Sequence, residues 1–206
     1  MSEFLDLRKV ALETSSPLWH LTEVEGEQVL QVTGHTMEPG RQSGAPAYLD
    51  EDHIGTPMVA LIGESRSNYR MQAEMRFLGH HHRFPNAGWF GFAIRAQDFL
   101  NYEIVWFMPN APEPGNTAAY VPVAHGIVPW WTEAYTAQKK GSVPIPADAW
   151  FRARIDVVGD EFTVYVEDSP VFTKKITYYL TKGRPGFFVG TATDAAFRRI
   201  VIDDLP

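Results

Sequence analysis

Seven residues carry side chains suited to holding a polyhydroxylated ligand: Trp89, Arg95, Glu103, His125, Trp131, Glu133 and Tyr135. Their chemistry follows from spacing. In WFGFAIRA (89–96) and NYEIVWF (101–107) apolar residues recur at every second position, as on a strand whose side chains alternate between faces. If Phe90, Phe92 and Ile94, with Tyr102, Ile104 and Trp106, face the core, the opposite face carries Trp89, Arg95, Glu103 and Phe107. An exposed Arg–Glu pair alone is usually worth under about 1 kcal/mol and needs no ligand to explain it. A tryptophan beside it changes the reading. Sugar rings offer apolar C–H faces to an aromatic ring and hydroxyls to bidentate polar groups.

GIVPWWTEAY (126–135) extends the pattern. On a strand, Trp131, Glu133 and Tyr135 share one face, so Trp130 packs inward while Trp131 forms a platform. A helical stripe of Trp130, Trp131, Ala134, Tyr135 and Gln138 also fits. Two threonines and the lack of an N-cap residue weigh against it. Coverage of Trp131 by the 108–118 loop is the structural alternative.

Glu103 and Glu133 have the right chemical type for a catalytic pair, since glycoside cleavage commonly uses two carboxylates. His125, before Gly126, is a neutral donor or base at the rim. GHHHRF (79–84) reads as a loop of solvated histidines, because consecutive residues rarely ligate one ion. Asp203 and Asp204 read as solvated acids, with structural calcium the alternative. No G-x-S-x-G and no phosphate-cradling glycine loop occurs. Neither metal nor cofactor is expected.

The elements that must position these residues are strands. YRMQAEMRF (69–77) and FRARIDVV (151–158) alternate apolar and charged residues. WHLTEV, EQVLQVT, PMVALI, EFTVYVE, PGFFVGT and FRRIVIDD are further candidates, and Gly159-Asp160 centres a hairpin. Residues 34–56 and 108–118, rich in Gly, Pro, Ser and Asn, read as surface loops. Many strands with one wet face imply an all-β, antiparallel two-sheet sandwich, a single domain over residues 1–206.

Composition narrows the partners. Eighteen basic against 25 acidic residues, a formal charge of −7, disfavours nucleic acid and anionic membrane. The absence of cysteine excludes disulfides, thiolate metal sites and cysteine nucleophiles. The start, MSEFLDLRKVALE, carries no signal-peptide pattern, and no apolar run reaches membrane-spanning length. A cytoplasmic protein is expected, with a secreted fragment trimmed at its start left open.

The order of these segments resembles the concanavalin A-like jelly roll, and within it the 3-keto-disaccharide hydrolase and laminin G-like domains. SPLWHLTEVEGEQVLQV resembles the opening strand pair. NYRMQAEMRFLG and NAGWFGFAIRAQDFLNYEIVWF resemble the three consecutive strands that follow. ADAWFRARIDVVGDEFTVYVED resembles the late hairpin, and RPGFFVGTATDAAFRRIVIDDL the closing pair. The resemblance implies a jelly roll with residues 131–135 on the concave sheet, so that Trp131 and Tyr135 join Trp89 around a groove. It also implies an oligosaccharide or glycoside partner. Laminarinase-like members carry a glutamate-x-aspartate motif that this sequence lacks. Three functions stay open: carbohydrate recognition, 3-keto-glycoside hydrolase or lyase chemistry, and a protein-interaction module of laminin G type. The fold alone does not choose among them.

Overall fold

The computed structural model describes residues 3–34, 57–81, 88–109, 117–128, 140–141, 143–176, 180–190 and 192–206. Two seven-stranded antiparallel sheets pack face to face. The first holds, in order, β1 (Leu12–Thr14), β4 (Met58–Ile62), β13 (Arg184–Val189), β6 (Phe90–Ala96), β7 (Tyr102–Phe107), β8 (Ala118–Val123) and β9 (Lys140–Gly141). The second holds β12 (Ser169–Lys175), β11 (Glu161–Val166), β10 (Phe151–Val158), β5 (Tyr69–His80), β14 (Thr193–Asp204), β3 (Glu27–Val32) and β2 (Trp19–Val24). This is the expected jelly-roll sandwich. No helix among the described residues is long and apolar enough to cross a membrane.

Alternation builds the second sheet as the sequence predicts. Tyr69, Met71, Ala73, Met75 and Phe77 of β5 are buried between the sheets, as are Phe151, Ala153, Ile155 and Val157 of β10. Their polar neighbours form rows across the outer face. Arg152 and Arg198 both lie opposite Glu74, and Arg70 lies between Asp156 and Asp203. The β10–β11 hairpin turns at Gly159-Asp160, with Val158 opposite Glu161.

Phenylalanines fill the space between the sheets. Phe187 of β13 stacks on Phe197 of β14 across the gap, with ring centroids 4.2 Å apart. Phe90 meets Phe151 and Phe197 edge-on, and Phe107 meets Phe151 at 5.5 Å. Offset and edge-on geometries suit the ring quadrupole and add to the gain from burial.

The first sheet is apolar on both faces, and here two expectations are corrected. Val105 and Phe107 of β7 face the core between the sheets, while Tyr102, Ile104 and Trp106 join a second apolar cluster on the outer face. The pairing decides this. Phe90 lies opposite Phe107, and Phe92 opposite Val105, and directly paired residues share a face. Phe107 is therefore a core residue.

Phe197 anchors the inter-sheet stack, so Phe197→Ala is expected to cost about 3–5 kcal/mol, as for a cavity in a packed core. Urea unfolding checks this. A loss below about 1 kcal/mol would mean that the two sheets do not depend on this contact.

Candidate functional site

The structure separates Trp89, His125 and the Arg95–Glu103 pair, which the sequence brings together. Trp89 precedes β6, half-buried against the outer cluster of the first sheet. Its backbone is fixed on both sides: Gly190 N–H donates to the Trp89 carbonyl at 2.7 Å, and Trp89 N–H to Thr193 Oγ1 at 3.3 Å. Trp131, Glu133 and Tyr135 lie outside the described residues, as do Trp130 and His82. His125 is exposed at the opposite end of the sheet from Trp89, in the turn joining Ala124 to Ile127. Its N–H donates to Asn101 Oδ1 at 3.1 Å. Burial raises the nearby Asp98 carboxyl, but hydrogen bonds from Leu100 N–H, the Asn101 side chain and Asn101 N–H outweigh it and hold Asp98 low.

Arg95 and Glu103 lie inside the sandwich, not on the outward face. A β-bulge is the cause. The register of β6 against β13 slips between the Arg184–Ala96 and Gly186–Ala93 pairs, and Arg95 takes a left-handed backbone with φ of 49°. The extra residue reverses the alternation, so Ile94 and Arg95 both turn inward. Two local features accommodate it. A Cβ on Gly183 would collide with the Arg95 backbone, so only glycine fits beside the bulge. Gln97 Nε2 donates to the Arg95 carbonyl at 3.0 Å and to the Lys182 carbonyl at 2.6 Å.

Inside, Arg95 Nη1 donates to Glu103 Oε2 at 3.2 Å. Arg95 Nη2 donates to the Gly159 carbonyl at 2.6 Å, in the hairpin of the other sheet, and Arg95 N–H to the Tyr69 hydroxyl at 3.3 Å. Arg95 thus ties the two sheets together. Glu103 Oε1 has no hydrogen-bond partner among the described residues. Burial pushes the Glu103 carboxyl up to about 7, against the opposing pull of Arg95 and Lys174. Lys174 is itself buried and stands over the Tyr120 ring, 4.9 Å from its centroid.

The outer face of the first sheet offers different chemistry. Val59, Leu61, Ala93, Ile104, Val121 and Phe188 make it apolar. Two polar atoms interrupt it: Tyr102 Oη and Trp106 Nε1 are buried without a hydrogen-bond partner among the described residues. Burial raises the Tyr102 phenol far above its ordinary value, so it stays a neutral donor. Sequence alternation assigned both rings to the core and missed them as site residues. That Glu103, Val105 and Phe107 form an equally apolar-leaning alternate set is the signal that both faces of β7 are covered.

Among the described residues, no group of three or more His, Cys, Asp or Glu side chains could hold a metal ion. His81 Nε2 lies 3.2 Å from Asp194 Oδ2, and Asp204 is paired with Arg66.

No protein-family model matches the chain, and no curated protein matches it. Solved structures do. The carbohydrate binding module CBM66 from Bacillus subtilis superposes with a TM-score of 0.64 at 15% identity, over 94% of this chain and 95% of that one. A Bacillus subtilis protein of unknown function with a galectin-like fold gives 0.61 at 11% identity, over 97% and 90%. The Bacillus licheniformis beta-glucanase gives 0.56 at 9% identity, over 100% and 97%. The chain shares the jelly-roll sandwich with proteins of this class.

The Glu103 site has a pH signature. Because its carboxyl titrates higher in the fold than the ordinary 4.5, the folded chain binds this proton more tightly than the unfolded one. Its contribution to stability is full below about 4.5 and is lost as pH rises through about 7. Urea midpoints of the wild type are expected to fall between pH 5 and pH 8, and those of Glu103→Gln to fall less. Parallel profiles would show that Glu103 does not titrate in this window.

Proposed function

We propose that the protein recognises a carbohydrate on the outer face of its first sheet and does not cleave it. The observation that carries this reading is the pair of orphaned donors, Tyr102 Oη and Trp106 Nε1, on an otherwise apolar, aromatic face. A buried donor without a partner costs about 1–3 kcal/mol. A ligand that lays C–H faces on the rings and presents hydroxyls to those donors recovers that cost. The donors lie four residues apart on β7, roughly 13 Å along a strand, which suits an oligosaccharide. The face is buried, so the ligand enters at its rim. There Trp89 is half-exposed, and Trp131 and Tyr135 are proposed as its stacking partners.

The jelly roll shared with a carbohydrate binding module supports this reading. Position separates binding from catalysis, since Glu103 lies on the opposite side of β7 from Tyr102 and Trp106. A glycosidase of the expected kind needs Glu103 at the scissile bond together with Glu133. Glu103 is 1% exposed and bonded to Arg95, between the sheets. In this reading Arg95 and Glu103 brace the fold, and His125, at the far end of the sheet, contacts only an extended ligand.

Two conservative variants test the site. Trp106→Phe and Tyr102→Phe each remove an orphaned polar atom and keep a ring. Each is expected to leave the melting temperature unchanged or raised, while weakening oligosaccharide affinity by about 0.5–1.5 kcal/mol. Trp89→Ala should weaken it by about 1–3 kcal/mol. Glycan-array hits titrated by calorimetry provide the measurement. Unchanged affinity in all three variants would remove this face from the reading, and new reducing ends or eliminated products by mass spectrometry would restore the enzyme.

A further inference from the structure

A cleft of about 250 Å³ opens at the edge of the second sheet, remote from the face discussed above. Phe4, Leu5, Asp6, Gly26, Glu27, Gln28 and Arg199 line it. Its N-terminal wall is fastened in place. Leu5 N–H donates to the Ile200 carbonyl at 2.8 Å, Leu7 N–H to Gln28 Oε1 at 2.8 Å, and Gln28 Nε2 to Asp6 Oδ1 at 2.6 Å.

The opposite wall rests on a second bulge. The register of β14 against β5 slips between Arg198 and Val201, and Arg199 adopts a left-handed backbone with φ of 52°. Here the extra residue turns outward. Arg198 and Arg199 both reach Glu27 and Glu74, with Arg199 Nε donating to Glu27 Oε1 at 2.8 Å and Arg199 Nη1 to Glu74 Oε1 at 2.8 Å. A non-glycine residue held in this conformation marks a place where surrounding contacts impose the geometry. Glu27 Oε2 is buried against Arg198 Nη1 at 3.1 Å. Phe4 stands over the cleft with 56% of its surface exposed.

We propose that this cleft is a second saccharide site, taking one neutral sugar ring. The volume lies just below that of sites for drug-sized ligands and suits a single ring. Phe4 supplies the apolar platform, and Glu27 and Arg199, paired with each other, supply a carboxylate and a guanidinium already fixed in orientation, a combination that matches a C–H face and vicinal hydroxyls. Charge selects against other ligands. Asp6, Glu27 and nearby Glu74 repel an anion. Asp6 is held ionised, its carboxyl lowered to about 2 by hydrogen bonds from Gln28, Lys9 and Arg8 N–H. Arg198 and Arg199 pair with Glu27 and Glu74 and so offset their pull on a cation. The proposal rests on this cleft alone and does not require the first-sheet face to bind anything.

The test is a nitrogen-15 NMR titration of the full chain with methyl glycosides of glucose, galactose, mannose and fructose. Saturable shifts of the amides at Leu5, Gly26, Gln28 and Arg199 are expected for at least one sugar, in the wild type and equally in Trp89→Ala. Phe4→Ala should weaken that binding roughly tenfold and Phe4→Tyr should retain it. The dispersion of the same spectra reports whether each variant is folded. Absence of saturable shifts at these amides with every sugar, or shifts indifferent to Phe4→Ala, would overturn the proposal. Loss of shifts on the first-sheet face alone would count against the primary reading and leave this one standing.

Discussion

One extra residue in β6 sets the interior of this sandwich. The bulge at Ile94–Arg95 turns a guanidinium inward, where a charge is tolerated only with a partner and with acceptors for its donors. Glu103 is the partner, and the Gly159 carbonyl, from the hairpin of the opposite sheet, is an acceptor. Glu103 must then face inward, which obliges Val105 and Phe107 to do the same and sends Tyr102, Ile104 and Trp106 outward. A well-packed apolar pair could be as stable as this ion pair. What the ion pair adds is register: a one-residue slip of β7 would strand a buried arginine.

The consequence is two outer faces of opposite character. The second sheet presents arginine–carboxylate rows, and its own bulge turns Arg199 out to Glu27 and Glu74. The first sheet presents an apolar face with two orphaned donors. The same device, an arginine in a left-handed bulge, serves in one sheet as an internal tie and in the other as the wall of a cleft. Function on this fold belongs to such local features rather than to the architecture.

Legibility in the sequence follows burial. β5 and β10 are buried on one face and wet on the other, so apolar–charged alternation reports their orientation directly. β6 and β7 are buried on both faces, and period two then locates the strand without saying which side is in. The Arg95 reversal has no trace in the alternation, since a bulge is visible only in pairing; Gly183 was its one local mark. β8 is masked in the sequence because Pro122 interrupts AAYVPV. Pro122 falls beyond Ala118 and Ala119, the positions that pair with β9, where its missing N–H costs no ladder bond. The second-sheet cleft joins residues 4–6, 26–28 and 199, a proximity that no local pattern encodes.

In the proposed function the outer face of the first sheet holds a saccharide without cutting it. A crystal structure of the wild type soaked with an oligosaccharide selected by array screening is the decisive experiment. An intact glycan is expected at the rim marked by Trp89, with hydroxyls within hydrogen-bond distance of Trp106 Nε1 or Tyr102 Oη. A glycan bound elsewhere with that face empty, or a cleaved product there with a carboxylate at the broken linkage, would contradict it.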